Sequence, residues 1–290
     1  MMRPEDTLVD IAKLIFERHA TQDVRVSNSK NSMPLDEVVA ALRLYAPNSA
    51  GTVLQRSSLT LACAQQIFPF LLEVIISLGY TLPPVLPIGA VCNGEGDASA
   101  AHQLKTLLDA TGSDKAASHD YHLLYGKILQ DGLEIRSIFE VGLGTNNESL
   151  VSNMGATGKP GASLRAFRDY CPQALVFGGD VDREILFSEE RIQTFFVDQT
   201  DRNSFTEIDK IIPDDLDLFI DDGLHAPHAN IVALGFGLRK IRLGGWVVIE
   251  DIVDDALPFW RAVGAILPET YRPAIYLARG GILFAAQRIK

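Results

Sequence analysis

The chain has 290 residues, of which 47% are apolar, so it is long and apolar enough for a globular protein with a sizeable core. Its 37 acidic and 26 basic residues give a net charge of −11. This charge disfavours a broad nucleic-acid footprint or an anionic membrane surface, because both would be repelled, and it favours a cationic ligand or a metal ion. We therefore predict neither a nucleic-acid partner nor a membrane partner.

The cysteines and the N-terminus bear on location. Cys63, Cys92 and Cys171 are widely spaced and odd in number, which argues against a disulfide framework or a zinc cluster. The first residues are acidic and lack the apolar core of a signal peptide, and the apolar stretch 67–76 is short and contains Glu73. We predict a cytoplasmic protein.

Residues 1–100 are predicted to form a helical N-terminal region. Apolar residues recur at helical spacing at 8–15 and again at 38–44, after a helix cap near Asp36. The stretch 82–97 contains three prolines and three glycines, which is typical of a linker or a long ordered loop, and the domain boundary lies near it. The simplest role for such a region is to pack against the rest of the fold.

Residues 101–290 are predicted to form a Rossmann-like α/β domain. Short apolar runs alternate with helical segments, which is typical of an open, mostly parallel sheet. Seven strands are predicted, at 138–141, 175–177, 194–197, 216–220, 246–249, 274–277 and 282–286. Only Ala278, Arg279, Gly280 and Gly281 separate the last two runs, too few for a crossover helix, so these strands should form a C-terminal antiparallel hairpin.

The first predicted strand runs into a glycine turn within "IFEVGLGTNN", residues 138–147. Gly142 and Gly144 have no side chain, so the backbone there can approach a ligand closely. Asn147 stands where the dinucleotide-binding fingerprint has its third glycine, and pyrophosphate binding is therefore not supported. An ordinary strand-to-helix turn would look the same.

Polar side chains also follow the next two strands. Asp180 ends the second strand and can accept hydrogen bonds from both ribose hydroxyls of a nucleoside, while Asp198 and Gln199 end the third and can face an adenine edge. Each acid alone could instead cap a helix. Three successive strand ends with polar groups predict one nucleoside-sized ligand, and a nucleoside without phosphates suggests S-adenosylmethionine.

The fourth and fifth strands end in a cluster of acids. Asp222 follows the fourth strand, and Glu250 and Asp251 follow the fifth. Adjacent strand ends lie about 5 Å apart, so these three carboxylates can converge on one hard cation, which relieves their mutual repulsion. The acids could alternatively cap helices or pair with Arg239 or Arg242.

Histidines accompany the acids in "DLFIDDGLHAPH", residues 217–228. His225 lies three residues beyond Asp222, close enough to face a group held at the same ion, which suits a general base. A purely structural histidine is the alternative. Asp221 is a further candidate for the cofactor site, and His228 is expected in the first turn of the following helix as a supporting residue.

Taken in order, seven stretches resemble one known family. They are "SDKAASHDYHLLY" (113–125), "EVGLGT" (140–145), "GASLRAFRDYCP" (161–172), "GGDVD" (178–182), "VDQTD" (197–201), "IDDGLH" (220–225) and "GGWVVIED" (244–251). The chain resembles class I S-adenosylmethionine-dependent methyltransferases, specifically the metal-dependent sugar O-methyltransferases of macrolide biosynthesis, of the mycinamicin and macrocin type. The resemblance spans roughly residues 113–255. Helical additions in this superfamily often cover the acceptor or build an oligomer interface, so the resemblance implies one of these roles for residues 1–100 and a homo-oligomer in the second case.

The resemblance implies roles for individual residues. It implies that Asp222, Glu250 and Asp251 bind magnesium and that His225 is the base. It implies a cofactor site lined by Glu140, Gly142, Asp180 and Asp198.

Two features qualify the resemblance. The insert 146–160 is longer than expected for that family, and its polar, glycine-rich composition is typical of a loop over the site, so the identity of the acceptor does not transfer. Lys115, with His119 and Tyr121, precedes the first strand, where the chain can fold back over the cofactor. The Lys115 ammonium could meet the cofactor's carboxylate, although a solvated helix start capped by Ser113 is equally consistent.

The sequence therefore predicts an enzyme that uses S-adenosylmethionine and Mg²⁺, or another divalent cation, to methylate a hydroxyl of a sugar or glycosylated metabolite. Asp222 and His225 would be its catalytic residues. The alternatives are O-methylation of a catechol or other small diol, and a nucleoside-binding scaffold without catalysis.

Overall fold

The computed structural model describes residues 34–290, so the helix predicted at residues 8–15 lies outside the described part. The described chain divides after Leu82 into two compact units, the second running from Pro83 to Lys290. The boundary predicted between residues 100 and 101 would fall inside a helix of the second unit, Glu95–Thr111. The division lies instead at the start of the stretch 82–97.

The described part of the first unit is helical, as the periodicity predicts. Helix α1 spans Leu35–Ala41, a 3-10 turn spans Arg43–Tyr45, and α2 spans Val53–Ser77. Thr52 begins α2 with a capping box, in which its side chain accepts the Gln55 amide N–H while the Gln55 side chain accepts the Thr52 amide N–H.

Helix α2 carries most of its large apolar side chains on the surface. Within its most apolar window of 18 residues only 17% are buried, and among the described helices it alone is long and apolar enough to cross a membrane by length and composition. Some core helices of soluble proteins meet the same criterion. The sequence pattern indicated an apolar stretch only at 67–76, whereas the helix is continuous through 53–77. The exposed side chains include Leu54, Leu59, Phe70, Val74 and Ile76.

The second unit is built on one nine-stranded sheet with the order β1-β8-β9-β7-β6-β2-β3-β5-β4. Its strands are β1 Val85–Pro87, β2 Ser137–Val141, β3 Leu175–Asp180, β4 Ser188–Glu189, β5 Ile192–Phe196, β6 Leu216–Asp221, β7 Ile241–Ile252, β8 Tyr271–Leu277 and β9 Ile282–Arg288. Pairing is parallel except that β9 runs antiparallel to β7 and β8 and β4 runs antiparallel to β5. The predicted C-terminal hairpin is therefore present.

Seven described helices accompany the sheet. They are α3 Glu95–Thr111, α4 Asp114–Ala117, α5 His122–Ile128, α6 Ala162–Tyr170, α7 Arg202–Ile208, α8 Pro227–Lys240 and α9 Leu257–Ile266. Several are amphipathic or fully apolar along the face that packs on the strands, and Leu104, Phe167 and Trp260 are completely buried.

The sheet has nine strands, two more than the seven predicted, and the two additional strands are those at its edges. β1 is three residues long and lies in the proline-rich stretch that we interpreted as a linker or loop, and β4 is two residues long with both side chains exposed. Neither strand contains the apolar run by which strands are recognised in sequence. Each pairs on one side only, β1 with β8 and β4 with β5.

The central strands explain where a site can form. Every residue of β2 and of β6 is buried, which is expected for parallel strands covered on both faces. β2, β3, β5, β6 and β7 all run in the same direction. Their carboxyl ends therefore meet at one edge of the sheet, where open α/β sheets bind ligands.

Candidate functional site

The turn after β2 brings two strand ends into close contact. Gly142 has φ +96°, and a Cβ atom there would collide with the backbone carbonyl of Asp222. The Gly142 amide donates to the Gly179 carbonyl at 2.8 Å, and the Asp222 amide donates to the Val141 carbonyl at 2.8 Å. Only glycine allows both this backbone conformation and this close approach of the Asp222 carbonyl. This explains why the first glycine of "VGLGT" is needed at position 142.

A cavity of about 300 Å³ opens at the ends of β2, β3, β5 and β6, and we call it the strand-end cavity. Its lining includes Gly142, Gly144, Thr145, Leu150, Ser152, Asp180, Val181, Val197, Asp198, Gln199, Asp222 and Leu224. Five residues predicted to bind the cofactor are thus brought together, namely Gly142, Gly144, Asp180, Asp198 and Gln199. Apolar walls with a few polar groups suit a nucleoside.

The polar side chains of this cavity are held in place by backbone hydrogen bonds. Asp180 accepts the amides of Leu143 at 2.7 Å and Asp182 at 2.8 Å, and burial raises its pKa. Asp198 accepts the amide of Thr200 at 2.9 Å. These contacts fix the two carboxylates before any ligand arrives.

Gln199 is held through both ends of its amide. Its Nε2 donates to Asp221 Oδ1 at 2.6 Å, and its Oε1 accepts the amide of Leu224 at 2.7 Å. Asp221 also accepts from Asn230 Nδ2 at 2.9 Å and is completely buried. Asp221, predicted at the cofactor site, does not line the strand-end cavity. It instead fixes Gln199 and the loop that follows β6.

A second cavity of about 310 Å³ adjoins the first and shares Gly142, Gly144, Ser152 and Asp222 with it. We call it the acidic cavity. Its lining further includes Ser113, Asp114, Lys115, His119, Tyr121, Asn153, Met154, Lys159, His225, Glu250 and Asp251. The predicted metal ligands and the predicted base therefore lie in one cavity, next to the one that suits a nucleoside.

An irregularity in β7 places two of the acids. The register of β7 against β9 shifts between Ile249 and Ile252, so Glu250 and Asp251 lie in a bulge. Asp251 has φ +53° and His225, after β6, has φ +55°. Left-handed backbone is uncommon for residues other than glycine and clusters at functional sites.

Three side chains offer ligand atoms for one metal ion. Donor atoms of Asp222, His225 and Asp251 lie within 4.8 Å of one another. His225 Nε2 is 3.8 Å from Asp251 Oδ2, and its Nδ1 is buried without a hydrogen-bond partner among the described residues. Oxygen and imidazole donors of this kind fit a divalent cation.

Lys115 lies among the acids of the site. We expected its ammonium to meet the carboxylate of the cofactor, yet it lies in the acidic cavity, 2.5 Å from Asp222 Oδ2 and 3.1 Å from Glu140 Oε1, and it also donates to Glu250 Oε2. Its side chain is only 2% exposed. Burial alone would lower the pKa of Lys115, but the three carboxylates together raise it well above its usual range.

Glu140 and Glu250 are buried acids that share this ammonium. Glu140, predicted at the cofactor site, accepts from the Ser163 hydroxyl at 2.7 Å and lines neither cavity. Glu250 accepts from the Tyr125 hydroxyl. Burial and the neighbouring Asp222 raise the pKa of Glu250, because one ammonium does not neutralise three carboxylates. The remaining negative charge fits a divalent cation.

The arginines considered as alternative partners lie elsewhere. Arg239 donates to the Gly235 carbonyl at 2.7 Å, and Arg242 donates to Asp217 at 2.5 Å. Within residues 34–290, no salt bridge joins either guanidinium to Asp222, Glu250 or Asp251. The acid cluster is therefore not a set of arginine partners.

The segment before β2 contributes side chains to which the sequence analysis gave no specific role. Tyr121 donates to Asp251 Oδ1, and His119 faces Asp114 and Asp251, with nitrogen-to-oxygen distances of 3.6 Å to each. A Cβ atom on Gly280 would overlap the His119 ring, and one on Gly281 would lie 2.6 Å from the Tyr121 hydroxyl. The glycines of the β8–β9 turn are thus the signal in the sequence that could have indicated this contact.

The insert 146–160 folds against both cavities. The Met154 amide donates to the Thr145 carbonyl at 2.8 Å, and Asn146 Nδ2 donates to the carbonyls of Gly155 at 2.6 Å and Gly158 at 2.9 Å. Ser152 lines both cavities, and its hydroxyl donates to the Leu224 carbonyl at 3.2 Å. The composition predicted a loop over the site, and the described loop forms part of its wall.

Comparison with known proteins gives relatives of one kind. The 8-demethyl-8-alpha-L-rhamnosyl tetracenomycin-C 2'-O-methyltransferase of Streptomyces olivaceus is 28% identical over 199 residues, which is 68% of this chain and 50% of that protein. Demethylmacrocin O-methyltransferase of Streptomyces fradiae is 32% identical over 92 residues, which is 32% of this chain and 23% of that protein. The chain therefore covers only half the length of the first of these relatives and 23% of the length of the second. No protein-family model matches it.

Solved structures agree with this similarity. The MycE methyltransferase of the mycinamycin biosynthetic pathway, in complex with Mg and SAH, aligns with a TM-score of 0.52 and 16% identity over 92% of this chain and 62% of that one. The same methyltransferase in its crystal form 1 aligns with a TM-score of 0.51 over 65% of this chain and 55% of that one. The chain shares the fold of these methyltransferase structures, and the relatives confirm the resemblance to sugar O-methyltransferases found in its sequence.

Proposed function

We propose that the protein is an S-adenosylmethionine- and divalent-metal-dependent O-methyltransferase that acts on a hydroxyl of a sugar or glycosylated metabolite. The observation that carries the proposal is the meeting of two cavities at Gly142, Gly144 and Asp222. One has the lining that a nucleoside requires, and the other holds acids and a histidine. Relatives that methylate a rhamnosyl group support the choice of acceptor.

The strand-end cavity would bind the cofactor. Asp180 would accept hydrogen bonds from the ribose hydroxyls, Asp198 and Gln199 would face the adenine, and Val181 and Leu224 would cover its faces. S-adenosylmethionine supplies an electrophilic methyl group on a positively charged sulfur. Gly142 and Gly144, which line both cavities, would lie beside that sulfur.

The acidic cavity would hold the acceptor and the metal ion. Asp222 and Asp251, with Glu250 as further ligand, would hold the ion, which lowers the pKa of a neighbouring hydroxyl when bound. His225 would accept the proton of the acceptor hydroxyl at Nε2, and Asp251 would orient its ring. The two linings would place the hydroxyl oxygen opposite the methyl carbon, and this positioning would account for much of the rate, since the thioether that leaves needs no proton.

The test is product formation with a panel of acceptors. The protein is incubated with S-adenosylmethionine, Mg²⁺ and either rhamnosylated polyketides, other glycosides, or catechols, and methylated products are identified by mass spectrometry. We expect methylation of a glycoside that EDTA abolishes and Mg²⁺ restores. Full activity in EDTA would exclude the metal, methylation of catechols alone would favour a diol methyltransferase, and S-adenosylmethionine binding without any product would favour a scaffold.

Further properties of the whole protein are part of the same proposal. We propose a cytoplasmic protein that binds neither nucleic acid nor membranes, which its charge of −11 and its likeness to biosynthetic enzymes support. We also propose that residues 1–100 cover the active site or join copies of the chain in a homo-oligomer. The exposed apolar side chains of α2 support the second role, and light scattering coupled to gel filtration measures it.

A further inference from the structure

The ammonium of Lys115 already occupies part of the place that a divalent cation would take. It lies 2.5 Å from Asp222 Oδ2 and donates to Glu250 Oε2, which are two of the carboxylates that the sequence predicts as metal ligands. Its third partner, Glu140 Oε1 at 3.1 Å, is not among them. The side chain is 2% exposed, so water does not screen these interactions as it would on the surface.

We propose that the Lys115 ammonium and a divalent cation compete for Asp222 and Glu250, and that Glu140 retains the ammonium when the cation binds. The inference rests on the proposed function, because it concerns the same cation site. Lys115 is then the internal counter-ion that keeps the acids together in the metal-free protein. It thereby sets the affinity of the site for metal.

Two features of the cluster support competition rather than joint binding. A cation held by Asp222 would lie within a few ångströms of the ammonium, and two positive charges at that distance in a buried place repel strongly. Glu140 is completely buried and oriented by the Ser163 hydroxyl at 2.7 Å, so its second oxygen remains directed at Lys115. The ammonium therefore has a fixed partner outside the set of metal ligands.

If the two cations compete, removal of the Lys115 charge should change the affinity of the site for metal. In Lys115→Met the acids lose their counter-ion, so the metal-free protein is destabilised and metal binding relieves that destabilisation. The matched control is Lys105→Met, which removes the same charge from an exposed side chain on α3 that pairs with Asp109. The control should bind metal as the unaltered protein does.

The first experiment titrates Mn²⁺ into the full chain by isothermal calorimetry and repeats thermal unfolding in EDTA and in Mn²⁺. For Lys115→Met we expect Mn²⁺ to bind at least about tenfold more tightly and to recover most of the melting temperature that is lost in EDTA. Affinity that is unchanged or weaker in Lys115→Met overturns the proposal, and so does a loss of melting temperature that Mn²⁺ does not reduce.

A second experiment needs no variant. In the ¹⁵N-labelled unaltered protein, the Nζ resonance of buried Lys115 is followed while Mg²⁺ is added. A change that saturates with Mg²⁺ binding supports displacement, and a resonance that stays unchanged at saturation overturns it. If methyl transfer requires Mg²⁺ but Lys115→Met binds metal with the affinity of the unaltered protein, the competition is refuted and the proposed function remains intact. If the protein binds no metal and is fully active in EDTA, both are refuted.

Discussion

His225 Nε2 lies 3.8 Å from Asp251 Oδ2, and both residues have left-handed backbone, with φ +55° and φ +53°. One follows β6 and the other lies in the bulge of β7, so two neighbouring strands each place a strained residue at the same cavity. Asparagine adopts this backbone more readily than most residues, which makes it the substitution that removes chemistry without adding strain.

His225→Asn tests the role of the base. We expect the rate of methyl transfer to fall about 10²- to 10⁴-fold, because the acceptor hydroxyl loses the group that removes its proton, while the affinity for S-adenosylhomocysteine stays within about twofold. Turnover is measured with radiolabelled S-adenosylmethionine and affinity by calorimetry. The exposed His228, at the start of α8, provides the control His228→Asn, and activity of His225→Asn equal to that of the control would exclude His225 as the base.

Asp251→Asn tests the metal site at the other left-handed position. Since the neutral amide is a weaker ligand than a carboxylate, we expect Mn²⁺ affinity to fall at least about tenfold with the fold retained. Mn²⁺ binding is measured by calorimetry, and far-ultraviolet circular dichroism checks the fold. Asp255→Asn, at a residue outside both cavities, is the control. Unchanged Mn²⁺ affinity would remove Asp251 from the ligand set.

Gly142→Ala tests the close contact between the ends of β2 and β6. The new Cβ would collide with the Asp222 carbonyl at a backbone φ of +96°, so we expect a loss of about 1–3 kcal/mol in the free energy of unfolding and weaker binding of S-adenosylhomocysteine. In Gly235→Ala, inside α8, the Cβ would meet nothing within 4 Å, and this control should gain about 0.5–1 kcal/mol. Urea unfolding measures both. Equal stabilities would contradict the steric argument.

Asn146→Ala tests whether the insert forms a wall of both cavities. The amide of Asn146 bonds two carbonyls of the insert, so its loss should loosen the loop and raise the KM for both cofactor and acceptor by a few-fold, with kcat less affected. Ser149→Ala, at an exposed position of the same insert, is the matched control. If neither KM changes, the insert does not shape the cavities in solution.

Cys171 should be inert as long as the protein is folded. Burial raises the pKa of its thiol to about 12 from an ordinary value of 9.0, and its side chain is completely inaccessible. Because the folded state keeps the proton that the unfolded state releases, this thiol contributes stability below pH 9 that is lost as the pH rises toward 12. Ellman's reagent should label Cys171 only in denaturant, and rapid labelling of three thiols in the native protein would contradict this.

The sequence predicted the parts of the fold that have a strong apolar signal. All seven predicted strands exist, because each contains an apolar run in the sequence, but β1 and β4 were missed since their pairing depends on neighbouring strands rather than on their own residues. The chain divides after Leu82, at the start of the stretch 82–97 near which we placed the boundary, and α3 begins inside that stretch.

The residues of the candidate site that follow a strand were predicted, whereas the contacts between segments distant in sequence were missed. Asp180, Asp198 and Asp222 follow directly from the parallel order of the sheet. The contact of Lys115 with Asp222 joins residues 107 positions apart, and local pattern does not show which of several acids a lysine will reach. The prediction that Lys115 meets the cofactor rested on position alone.

The β8–β9 turn has a consequence for synthesis of the protein. β9 inserts between β7 and β8, and Gly280 and Gly281 in the turn after β8 adjoin His119 and Tyr121 of a segment made much earlier. β7 and β8 are therefore joined in one sheet only once residues 282–288 of β9 have been made. A chain that stops before Ile282 lacks the strand through which β1 and β8 connect to the rest of the sheet.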